Sequence, residues 1–69
     1  DEVARQYAVA LESVDLINYY AALGFDSLDD EQTAEVDRNV RHLEIMVSRP
    51  YWTTQDLTPL NDAIALIRS

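Results

Sequence analysis

The chain has 69 residues and no Cys, and its 13 acidic residues outnumber five basic ones to give a formal net charge of −8. A chain this short makes one domain, here residues 1–69, and buries roughly 60% of the surface its unfolded form exposes. The charge argues against a nucleic-acid backbone or an anionic membrane as partner, since both demand positive potential, and the missing Cys excludes disulfides and thiolate metal sites.

The first predicted helix runs from about Glu2 to Leu23. Val3, Tyr7, Ala10, Val14, Ile17 and Ala21 repeat at four-three spacing, which stacks them on one face. Leu11 widens that face. Val9, Leu16, Tyr20 and Leu23 fall together about half a turn away. A helix apolar on two sides is central or has a second partner. These four residues are therefore the candidate interaction surface, and a homo-oligomer is the expected partner arrangement. Gly24 is the natural stop, because a left-handed conformation after a helix costs Gly little.

Phe25 to Asp30 forms a turn in which Ser27 or Asp29 can cap the second helix. Asp29 and Gln32 have capping-box spacing. The second helix is expected from about Asp30 to Ser48, with Val36, Val40, Leu43 and Val47 as its buried stripe. Its acidic residues Asp30, Glu31 and Glu35 come early and Arg38, Arg41 and Arg49 late, an order that complements the helix dipole without any functional cause. Arg49-Pro50 stops it, since Pro has no N–H and pushes the preceding residue out of helical geometry. Pro50, Tyr51 and Trp52 form the expected structural corner, with the two rings plugging the end of the core. Thr53 or Thr54 can open a short turn. The third helix is expected from Thr58, with Thr58 as cap and Pro59 at the first helical position. Leu60, Ile64 and Ile67 make its stripe, joined by Leu57 and Ala63.

Together these elements predict an all-α domain, a small three-helix bundle. The first two helices form an antiparallel hairpin, and the shorter C-terminal helix packs across its open end. No run approaches the roughly 18–20 apolar residues of a membrane span. No signal-peptide pattern opens the chain, so a soluble protein without a targeting segment is expected. The first residue is Asp rather than Met, which leaves a processed N-terminus open. All five basic residues are Arg, a bias that a GC-rich genome or a salt-adapted proteome would each produce.

Candidate chemistry is sparse. His42 is the lone His, has no carboxylate three residues before it, and points away from the valine stripe, which makes it a rim residue before a ligand or catalyst. No Gly-x-Ser-x-Gly context supports a Ser nucleophile. Asp26 to Glu31 lacks the central Gly and ligand spacing of a calcium loop. No catalytic residue, metal or cofactor is expected from the residues themselves.

Two resemblances add to this reading. Leu23-Gly24-Phe25-Asp26-Ser27-Leu28-Asp29 resembles the Leu-Gly-x-Asp-Ser-Leu signature of acyl and peptidyl carrier proteins. That resemblance implies a phosphopantetheine arm on Ser27, which would then open the second helix. The chain departs from the carrier pattern in the missing long loop before the motif. It departs again at Glu31, Thr33, Asp37 and Arg41, where carriers place apolar residues. A Gly stop followed by a Ser or Asp cap explains every residue of the motif as well. The second resemblance spans Arg41–Ile64, carried by His42-Leu43-Glu44-Ile45-Met46, Tyr51-Trp52-Thr53 and Asp56-Leu57-Thr58-Pro59-Leu60. This stretch is similar to short helical proteins encoded in tailed-phage genomes, and implies a virion or assembly component located in the virion or host cytoplasm. The expected function is thus a non-enzymatic structural or protein-interaction module that self-associates, with a divergent carrier protein as the alternative.

Overall fold

The computed structural model describes residues 2–49 and 55–68. Pro50, Tyr51 and Trp52, the expected corner, lie outside the described residues. The described residues form three α-helices: α1 (Glu2–Leu23), α2 (Asp30–Val47) and α3 (Thr58–Arg68). They pack on one another as an all-α three-helix bundle. At 1.5 Å per residue a 22-residue helix is ~33 Å long, so α1 sets the 37 Å long axis of the molecule.

α1 and α2 run antiparallel, and two side-chain pairs fix their register. Ser13 Oγ lies 3.2 Å from His42 Nδ1, and Tyr20 donates its hydroxyl to Glu35 at 2.6 Å. α3 does more than close the open end. It lies in the groove between the other two, starting where Tyr7 donates to the Asp56 carbonyl and ending with Ile67 beside Phe25, Leu28 and Val36. Eleven residues reach that far because the helix packs along both neighbours and so buries Leu60, Ala63 and Ile64 together.

The core is Ala10, Val14, Ile17, Val36, Val40, Leu43, Met46, Leu60, Ala63 and Ile64. The expected stripe of α2 holds as far as Leu43. Its last buried member is Met46, while Val47 is half-buried against the cluster. Met46 lies beside Glu2, Val3 and Gln6 of α1, where a flexible thioether adapts to irregular space.

The joints differ from the sequence reading in two details. Gly24 does stop α1, at a φ of +91° that disfavours any side chain. Asp29 caps α2 with a full capping box: it accepts the Gln32 N–H while Gln32 accepts the Asp29 N–H. Ser27, the other candidate cap, instead ends a single 3-10 turn and donates back to the Leu23 and Gly24 carbonyls. It therefore closes α1, because its hydroxyl is within reach of the orphan carbonyls behind it. At α3, Thr58 is already the first helical residue and Pro59 the second. The capping oxygen comes from Asp56, which accepts the Thr58 N–H at 3.0 Å.

Candidate functional site

α3 fills one side of the α1–α2 hairpin, and no other described helix covers the opposite side. α1 presents Val9, Leu16 and Leu23 there. Seven residues nearly complete two helical turns, with a drift of only ~20°, so these three stand in line along the helix. Val9 is 40% and Leu23 49% exposed, and Leu16 is half-buried outside the core. Tyr20, the fourth expected member, sits at the edge. Its ring packs against the core and its hydroxyl is committed to Glu35.

Two further residues on this side went unassigned in the sequence. Tyr19, 60% exposed, flanks the Val9–Leu23 line with its ring 5.5 Å from that of Tyr20. Ile45, 53% exposed, stands on the outer side of α2. Ile45 falls half a turn from the Val36–Val40–Leu43 stripe, so its helical position alone marks it as uncovered. Tyr19 carried no separate signal beside the adjacent Tyr20.

The seam beneath this face is polar and satisfied. Ser13 is 6% exposed, and the half-buried His42 supplies its partner. Among the described residues no buried side-chain nitrogen or oxygen lacks a hydrogen bond. A Ser–His pair can begin nucleophilic chemistry when the hydroxyl meets a substrate. Here the Ser13 hydroxyl is enclosed between two helices, and the pair acts as a register pin. The Glu35 bond raises the Tyr20 phenol above its ordinary value of 10.0, helped by desolvation and the Glu35 charge. At the start of α3, hydrogen bonds from Thr58 hold the Asp56 carboxyl below its ordinary value of 3.8.

Two depressions flank the ends of the bundle. One of about 450 Å³ lies between Glu2, Val3 and Gln6 of α1 and Met46 and Arg49 at the end of α2. The other, about 140 Å³, is lined by Phe25, Leu28, Thr33, Val36, Asp37 and Ile67. Among the described residues no group of three or more His, Asp or Glu is gathered to hold a metal, and no helix is long and apolar enough to cross a membrane. Ser27 is exposed, with its hydroxyl bonded to Leu23 and Gly24. No protein-family model matches the chain, and neither the curated proteins nor the solved structures give a match to it.

Proposed function

We propose that this chain is a structural or protein-interaction module that works by association rather than catalysis, and that it self-associates through the open face of α1. The observation that carries the reading is the exposure of Val9 and Leu23, in line with the half-buried Leu16, on the side of α1 away from α3. Single exposed apolar residues are ordinary, but aligned ones mark contact surfaces. Covering them is favourable by about 25 cal/mol per Å² of apolar area, and a symmetric pair of copies is the commonest way to do so. The likeness of Arg41–Ile64 to short helical tailed-phage proteins supports placing the module among virion or assembly components.

The test is Val9→Glu combined with Leu16→Glu, read by sedimentation and circular dichroism. Loss of the oligomer with helicity retained is the expected result. An oligomer unaffected by both charges would refute the use of this face. The carrier alternative rests on the Leu23–Asp29 motif and the exposure of Ser27. Against it stand the two bonds that the hydroxyl makes to α1. Incubation with a phosphopantetheinyl transferase and coenzyme A should leave the mass unchanged, and a gain abolished by Ser27→Ala would establish the carrier instead.

A further inference from the structure

We infer that the notch at the closed end of the α1–α2 hairpin is a docking site for a basic segment of a separate protein, which inserts one apolar side chain. α3 has 11 residues against 18 in α2, so it lines only part of that helix. The depression of about 140 Å³ lies between Ile67, in the last turn of α3, and the 3-10 turn that follows α1. Phe25, Leu28 and Ile67 wall it, the buried Val36 lies at its base, and the exposed Thr33 and Asp37 stand at the rim. About four or five waters, at ~30 Å³ each, would occupy such a space. Four apolar neighbours offer those waters few hydrogen bonds, so an aliphatic side chain that displaces them gains affinity. The notch is on the α3 side of the hairpin, and its use does not depend on the outer face of α1.

Charge selects the occupant. No basic residue occurs from Gln6 to Asp37. Asp26 adjoins Phe25 in the 3-10 turn. Asp30 precedes Thr33 by three residues and Asp37 by seven, which sets all three on one face of α2. The Asp26, Asp30 and Asp37 carboxylates are exposed, and none makes a hydrogen bond or ion pair among the described residues. Two cations adjoin the notch in sequence. Arg68 follows Ile67 but bonds Glu44. Arg41, one turn past Asp37, makes no ion pair among the described residues, and offsets at most one of the three carboxylates. An anionic segment is repelled at this rim, and a neutral one leaves it uncompensated. Lys or Arg on both sides of an aliphatic residue matches rim and base together. Ion pairs at an exposed rim contribute little affinity, so the apolar insertion holds the segment and the charges select and orient it.

The test is a nuclear magnetic resonance titration of the isotope-labelled chain with the blocked peptide Arg-Lys-Leu-Lys-Arg. The expected result is saturable movement of the amide signals of Phe25, Leu28, Thr33 and Ile67, with affinity falling as salt rises. Arg-Lys-Ser-Lys-Arg should bind about tenfold more weakly, because it lacks the aliphatic group, and Glu-Glu-Leu-Glu-Glu should not bind. Asp37→Asn should weaken the leucine peptide about two- to fivefold. Thr33→Trp, which fills the notch from its exposed rim, should abolish the signal movements with circular dichroism unchanged. Equal affinity for the leucine and serine peptides, unaltered binding to Thr33→Trp, signals that move only elsewhere, or no binding at millimolar peptide would each overturn the site. Loss of self-association in Asp37→Asn, with no peptide bound by the parent chain, would give the notch to a second copy and overturn the separate partner.

Discussion

At the scale of single residues, the joints matter most. Asp29 closes the capping box of α2, and Asp29→Ala should cost about 0.5–2 kcal/mol in chemical denaturation. Ser27 braces the other helix, which the sequence did not reveal: Ser and Asp two residues apart are both good caps, and only the path of the 3-10 turn decides which helix each serves. Tyr20 gives a pH signature. Its bond to Glu35 raises the phenol's pKa on folding, so the contribution is fully present below pH 10.0 and is lost as pH rises through the higher folded value. Tyr20→Phe should remove that part of the alkaline loss of stability. An alkaline profile identical to the parent's would show that the bond does not form.

At the scale of elements, α2 is the helix most fully specified by its pattern. Val36, Val40 and Leu43 were legible because a four-three spacing admits one buried face, and Leu43 has no exposed surface. Leu43→Ala should cost about 2–5 kcal/mol, as deep cavities do, whereas Val47→Ala, at a half-buried site, should cost clearly less by the same denaturation assay. α1 was legible in extent but ambiguous in use. Its two apolar sides were readable, yet whether Tyr20 belonged to the core or the outer face depended on where Glu35 arrived, a tertiary fact. The run of α3 along the groove was equally hidden, because eleven residues with one stripe pack the same way across an end or along a cleft.

At the scale of the whole molecule, small size and charge pull in opposite directions. Among the described elements α3 covers one side of the α1–α2 hairpin, and Val9 and Leu23 stay exposed on the other. In the proposed dimer each copy brings a net charge of −8 to the contact. Exposed charges are screened over a Debye length of about 8 Å at physiological ionic strength, and over about 30 Å at 0.01 M. Dilute salt should therefore hold copies apart and added salt should strengthen their association, the reverse of a dimer held by surface ion pairs. The most direct measurement is sedimentation equilibrium of the unmodified chain across protein concentration at about 0.01 M and 0.15 M salt. The predicted result is a monomer–dimer equilibrium that shifts toward dimer as salt rises. A chain that sediments as a monomer at high concentration in both salts would contradict self-association through α1.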